Sequence, residues 1–300
     1  MRAYYSDTFV LPLPDTHRFP MAKYRRLRER LITEHVLTSD ELFVPAAAPR
    51  TDLILAHDPA WIDAVTAGGL PERTQRQIGF PWSPEMVERS RRSVGGTIAA
   101  GHQALIDGVA GNLAGGTHHA FRDRGEGYCV FNDVAVAARS MMRDNLVRRV
   151  AVVDCDVHQG NGTAAIFRDD PAVFTLSLHG ENNFPFTKES SDIDTGLPDG
   201  TGDEEYLTTL RRQLTSVLER HRPDLVFYLA GADPFERDRL GRLALTIEGL
   251  RARDQMVFAA CISRAIPVVV TMAGGYATDI DDIVTIHSKT IREAVSCATG

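Results

Sequence analysis

Asp154, Asp156 and His158 stand at alternate positions directly after an apolar run. In extended backbone, residues two apart share a face at a rise of about 3.3 Å per residue, so Asp156 and His158 could converge on one ion. Asp233, after a second apolar run, could complete the set. Two carboxylates and one imidazole without a thiolate make a nitrogen–oxygen site for a divalent metal, with a position left open for water. The plainer alternative is a turn whose carboxylates cap backbone amides. The pair His118-His119 follows Gly115-Gly116, glycines that allow a tight turn close to a ligand. Two imidazoles there could act as acid and base or as further ligands. Gly274-Gly275-Tyr276 puts a phenol at the tip of another glycine turn, where it could donate to an oxyanion or simply pack on the turn. His17, His57, His102, His179, His221 and His287 have no such company and read as structural or exposed. No GxSxG, P-loop or GxGxxG motif occurs, so metal-assisted hydrolysis is the chemistry left standing.

These groups need strands to bring them together. Four short, β-branched apolar runs read as buried strands: Arg149 to Asp154, Val173 to Leu178, Leu225 to Leu229 and Pro267 to Met272, with a weaker run from Asn112 to Gly116. Helical patterns lie between them: Met21 to Glu34, Pro84 to Asp107 behind Ser83, Asp133 to Asp144, Asp203 to Arg220, Ile247 to Ser263 behind Thr246, and a last helix from about Asp279. Parallel strands need crossovers, usually helices, so the alternation predicts an α/β fold, a mostly parallel central sheet with helices on both faces, in a single domain over 1–300. Ligands bind beyond the carboxyl ends of such strands, where the polar groups above all fall.

Gly180 to Gly202 reads as a loop. From Glu189 to Glu205 there are seven acidic residues and no basic one. They are either a solvated surface that ends in an acidic helix start or an acidic rim for a cationic substrate. Lys23, Arg25, Arg26, Arg28 and Arg30 read as a solvated helix face. The 300 residues carry 33 basic against 40 acidic side chains, a net charge of −7. That is the wrong sign for a partner held by its phosphates, and it favours cationic or neutral substrates. Cys129, Cys155, Cys261 and Cys297 form no CxxC pair, which suggests a reducing cytoplasm rather than a disulfide framework. No apolar run is long enough to span a bilayer, and no signal-peptide pattern opens the chain.

The sequence resembles the histone deacetylase superfamily. The likeness is carried in order by AGGTHHAFRDRGEGYCVFND from Ala114 to Asp133, VDCDVHQGNGT from Val153 to Thr163, AGADP from Ala230 to Pro234 with RLGRL from Arg239 to Leu243, and AGGY from Ala273 to Tyr276. It extends more weakly to HRFPM from His17 to Met21. The blocks look most like the class IV branch and its bacterial relatives. The resemblance implies an arginase-like fold and zinc held by Asp156, His158 and Asp233, though such a set also accepts iron(II). It implies His119 as general base and then acid, His118 as its electrostatic partner and Tyr276 as donor to the oxyanion. Asp154 would fix the tautomer of His118. A structural potassium would sit on Asp154, Asp156 and His158 with the Ser177 hydroxyl and the Leu178 carbonyl, and a second near Phe167, Asp170 and Val173.

Asn161 stands where class I members carry aspartate. Without that charge the imidazolium of His119 is less favoured, so the ring should stay neutral to lower pH. Gly127 and Tyr128 fall where the family walls its acyl-lysine tunnel, Gly274 and Gly275 line it, and Phe184 or Phe186 supplies the facing wall. The activity implied is removal of an acetyl or longer acyl group from the Nε-amine of a protein lysine. Deacylation of a small amine such as an acetylpolyamine is a second reading, and an acyl-lysine-binding module with weak catalysis a third. No direct nucleic-acid or membrane partner is expected.

Overall fold

The computed structural model describes residues 1–14 and 16–298. In chain order the elements are β1 (Arg2–Tyr4), α1 (Ala22–Thr33), β2 (Leu42–Phe43), α2 (Arg50–Leu53), α3 (Pro59–Ala67), α4 (Glu72–Ile78), α5 (Pro84–Asp107), β3 (Val109–Asn112), α6 (Asp133–Arg143), β4 (Val150–Asp154), α7 (Asn161–Phe167), β5 (Val173–Gly180), β6 (Ile193–Leu197), α8 (Asp203–Arg220), β7 (Leu225–Leu229), α9 (Ile247–Ile262), β8 (Val268–Thr271) and α10 (Ile280–Ala298). The strands form one eight-stranded sheet in the order β2-β1-β3-β8-β7-β4-β5-β6, and every pairing is parallel. The α/β fold with a parallel central sheet is therefore present.

Side chains of a strand alternate between faces, and both faces here are apolar. Ala151 and Val153 of β4, Val226 and Tyr228 of β7, and Val268 and Val270 of β8 pack with α1, α8, α9 and α10. Val150 and Val152, Leu225, Phe227 and Leu229, and Val269 pack against α3, α5, α6 and α7 on the other face. That is why these runs read as continuous hydrophobic stretches. The long helices start where their caps place them: the hydroxyls of Ser83 and Thr246 and the amide oxygen of Asn132 accept from the backbone of Met86, Gly249 and Ala135.

Three expectations need correction. Gly180 to Gly202 is not all loop, because β6 pairs with β5 from Leu176↔Ile193 to Gly180↔Leu197. It is an outer strand whose Asp194, Thr195 and Gly196 break any apolar pattern. The weaker run expected from Asn112 to Gly116 is strand only at Asn112, since β3 spans Val109–Asn112 and Gly115 and Gly116 turn at positive φ; the edge strands β1 and β2 are too short to give a periodic signal. Lys23 is not on a solvated face: it is 1% exposed, and its ammonium stands 3.3 Å from the carbonyl oxygens of Ala273 and Gly275.

Candidate active site

The four central strands end level. Asp154 pairs with Leu229, Leu229 with Thr271 and Thr271 with Asn112, so the segments after β4, β7, β8 and β3 leave the sheet at one edge. Those segments carry Asp156 and His158, Asp233, Tyr276, and His118-His119, all buried. The candidate residues from four distant stretches of sequence thus meet at one edge of the sheet.

Asp156, His158 and Asp233 offer ligand atoms that all lie within 4.8 Å of one another. His158 Nδ1 is 2.9 Å from Asp156 Oδ1 and 3.2 Å from Asp233 Oδ2, and that carboxylate oxygen is buried without a well-directed donor. One ring nitrogen cannot satisfy both acids. Burial and then the charge of Asp156 push the Asp233 carboxyl up to about 7. Burial also opposes ionisation of Asp156, but the charges of His118 and His158 outweigh it and hold that carboxyl below its usual range. Two acids and an imidazole crowded in a dry site, with an orphaned oxygen, fit a shared divalent cation. Backbone amides fix the remaining lone pairs. Val157 N donates to Asp233 Oδ1 at 3.0 Å, Gly274 N to Asp156 Oδ2 at 2.7 Å and Asp156 N to Asp154 Oδ1 at 3.1 Å.

The two histidines are set from behind. His118 Nδ1 is 2.6 Å from Asp154 Oδ2; although burial opposes it, the charges of Asp154 and Asp156 raise the His118 pKa to about 9. His119 Nδ1 is 2.7 Å from Asn161 Oδ1, and Asn161 Nδ2 donates to Glu126 Oε1 at 2.6 Å. Glu126 accepts only, so the amide oxygen must face His119. His119 Nδ1 therefore carries the hydrogen and Nε2 presents a lone pair. Burial, then the charges of His118 and His158, push the His119 pKa well below its usual value. The turn that carries both rings is pinned by Asp133, which accepts from Gly116 N, Thr117 N and the hydroxyls of Thr97 and Thr117.

Tyr276 is 7% exposed. Burial, then the charges of Asp233 and Asp156, raise its pKa well above the usual phenol value, so it holds its proton as a donor. Its own backbone is clamped by Asp238, which accepts from Tyr276 N, and by Arg239, which donates to Tyr276 O.

A pocket of about 390 Å³ opens above these groups, lined among others by Gly127, Tyr128, His119, His158, Phe184, Phe186 and Tyr276. Phe184 has its ring centroid 4.9 Å from that of His119, whereas Phe186 is 86% exposed. Phe184 is thus the inner face and Phe186 the outer rim. Gly127 has φ +55, and a Cβ there would stand 2.7 Å from His119 Cδ2. A Cβ on Gly274 would come within 1.9 Å of Asp233 Oδ2. Gly275, at φ +143, turns the chain into Tyr276. His17, read as structural or exposed, supports the wall: its Nε2 is 2.9 Å from Gly79 O and its ring lies 6.0 Å from that of Tyr128. His57 is structural as expected, held by Phe121 O and Asn132 N.

Ser177 faces Asp154 across the β4–β5 ladder, with its hydroxyl 3.0 Å from His179 Nδ1, and Leu178 follows it in β5. Phe167, Asp170 and Val173 form a turn in which Asp170 N donates to Phe167 O and Val173 N to Asp170 O. Sequence reasoning missed Glu126, Asp133 and Lys23 as residues of the site's surroundings. The Glu126 carboxylate inside a Gly-x-Gly run was the available signal for the first.

A parallel α/β sheet that brings a buried imidazole beside a carboxylate–imidazole cluster has the groups that metal-assisted hydrolysis needs. The chain matches the model of the histone deacetylase domain over residues 17–291 and belongs to that family of deacetylases. It is 46% identical over 290 residues to an uncharacterised protein of Picosynechococcus sp., covering 97% of each. It is 29% identical to histone deacetylase 2 of Arabidopsis thaliana, covering 90% of this chain and 72% of that one. The crystal structure of an HDAC homolog complexed with SAHA superposes with a TM-score of 0.85 at 24% identity, over 98% of this chain and 84% of the other. No helix among the described residues is long and apolar enough to cross a membrane.

Proposed function

We propose that this deacetylase is a zinc-dependent amidohydrolase that removes acetyl or longer acyl groups from the Nε-amine of lysine in proteins. The observation that carries the reading is the meeting of Asp156 Oδ1, His158 Nδ1 and Asp233 Oδ2 at the floor of an aromatic slot, beside the free Nε2 of His119. Zinc or iron(II), when bound by those three residues, supplies Lewis acidity that polarises an acyl carbonyl and an attacking water. Potassium on Asp154, Ser177 and the neighbouring carbonyls would stiffen the strand ends.

Tyr128 and Phe184 both line the pocket, and a slender acyl-lysine stem would pass between them. His119 Nε2 accepts a proton from the attacking water and later returns it to the leaving amine, a shuttle suited to an imidazole that enters the cycle neutral. His118, held by Asp154, keeps a positive field beside the base. The Tyr276 hydroxyl donates to the oxygen on which negative charge develops. A pure acyl-lysine reader would need neither the base nor the phenol.

The test is hydrolysis of Nε-acetyl, butyryl, octanoyl and myristoyl lysine peptides beside N-acetylputrescine, with chelator-stripped enzyme reloaded with zinc or iron(II). Metal-dependent turnover of a lysine peptide, lost in His119→Ala, is expected. Turnover of the polyamine alone would replace the substrate, and turnover of nothing would favour the binding module.

A further inference from the structure

We propose that the tunnel mouth is an arginine rim that selects acyl-lysines flanked by acidic residues; this rests on the deacylase reading above and narrows its substrate class. Arg76 and Arg242 line the pocket beside Gln77, Asn182 and Phe186, and no aspartate or glutamate lines it among the described residues. Two more arginines stand at the Tyr128 wall. Arg239 donates from Nε to Tyr276 O at 2.7 Å and from Nη2 to Arg18 O at 3.3 Å, and the charges of both Arg18 and Arg239 act on the Tyr128 phenol. Neither guanidinium meets a carboxylate among the described residues.

Arg76 and Arg242 do have partners, Glu72 at 2.9 Å and Asp199 at 3.1 Å, but their side chains are 66% and 56% exposed. Such solvated pairs contribute little and exchange readily for another carboxylate. Apart from Asp199, the partner of Arg242, four acids of the run that suggested a cationic substrate are held by other groups. Glu189 pairs with Arg168, Asp192 accepts from Thr175 N, Asp194 accepts from Gln159 Nε2, and Asp203 accepts from Thr246 N. A chain of net charge −7 thus presents a basic mouth, and the local field, not the sum, steers what docks. The Nε-acyl stem enters the slot between Tyr128 and Phe184, while Asp or Glu side chains on either side of that lysine reach the guanidinium groups. A di- or triamine would meet like charge at the same place.

Two fluorescein-labelled peptides test this, each carrying one Nε-acetyl-lysine, one flanked by glutamates and one by lysines. Binding is read by anisotropy and hydrolysis by kcat/KM, at low salt and near 1 M. At low salt the acidic peptide is expected to bind about tenfold more tightly, with the preference collapsing at high salt. Charge reversal in the double variant Arg18→Glu, Arg242→Glu should invert the order, and Arg76→Glu should weaken it; all three side chains are exposed. Equal binding of the two peptides, a preference that survives reversal, or faster turnover of N-acetylputrescine than of the acidic peptide overturns the rim. Failure to hydrolyse either peptide overturns the deacylase reading instead, while the binding ratio still decides the rim.

Discussion

His118 and His119 are neighbours in the chain, with ring centroids 4.1 Å apart, yet different partners hold them in opposite protonation states. The carboxylate of Asp154 keeps His118 charged, its pKa raised to about 9 once burial is outweighed. Asn161 gives His119 a hydrogen bond but no charge, so burial and the charge of His118 keep that ring neutral. A base works only in its neutral form, so the low His119 pKa keeps the base itself competent below neutrality. In Asn161→Asp a negative charge favours the imidazolium, and the acidic limb of the kcat/KM profile should move to higher pH by about one unit. An unmoved limb would sink this account of the base. Glu126 sets which way the amide faces. Glu126→Ala frees the amide to flip, places an N–H against Nδ1 and favours the tautomer with the hydrogen on Nε2. We expect kcat to fall about tenfold with KM little changed. Glu126→Gln, whose carbonyl still accepts from Asn161, should restore most of it; a Gln variant as poor as Ala would point to charge rather than orientation.

The elements supply position, and the glycines between strand and ligand are where that position is tightest. In Gly274→Ala the new Cβ would stand 1.9 Å from Asp233 Oδ2 and 2.6 Å from Asp156 Oδ2, so zinc per chain, measured by elemental analysis, should fall sharply. Gly108→Ala is the contrast. Its φ is +79 but nothing lies within 4 Å, so it should cost roughly 1–3 kcal/mol of backbone strain and leave metal content unchanged. Equal loss of metal in both would mean that general destabilisation, not the close approach, is being read. The central strands were legible because β4, β7 and β8 are buried on both faces and so carry unbroken Val/Leu runs, and the helices because Ser83 and Thr246 mark their starts. The strand β6 was hidden, since an outer strand with alternating partial exposure can carry Asp194 and Thr195. Lys23 was hidden for a related reason. Among Arg25, Arg26, Arg28 and Arg30 it looks like one more solvated cation, and only the packing of α1 against α10 and the Ala273–Gly275 turn buries it. DxDxH and His-His were legible because the residue types themselves are rare in such company. Phe184 could be told from Phe186 only by the path of the loop.

Across the whole molecule, the cluster of Asp156, His158 and Asp233 is braced from the far side of the sheet edge. Arg253 of α9, fully buried, donates to Cys155 O at 3.2 Å and to Gly231 O at 2.7 Å, the carbonyls that lead into Asp156 and Asp233. Asp254 neutralises it at 2.8 Å and is itself held by Tyr228 and Thr290. Removing one member of a buried ion pair strands the other, so Arg253→Met should cost roughly 3–5 kcal/mol in denaturant unfolding. Its zinc affinity should fall as well. The reciprocal holds for the metal. A cation that binds the folded chain and not the unfolded one stabilises by about 2.7 kcal/mol at a free concentration of about a hundred times its Kd. For a chain of this size that is a rise in Tm of several degrees, at about 2–4 °C per kcal/mol. Chelator should therefore lower the Tm and zinc restore it. Asp233→Asn should remove the zinc-dependent part alone, because it withdraws the carboxylate whose Oδ2 has no directed donor of its own. A Tm indifferent to chelator and zinc would mean that Asp156, His158 and Asp233 satisfy one another without a cation, and the crowding of two acids around one imidazole would then need a shared proton instead.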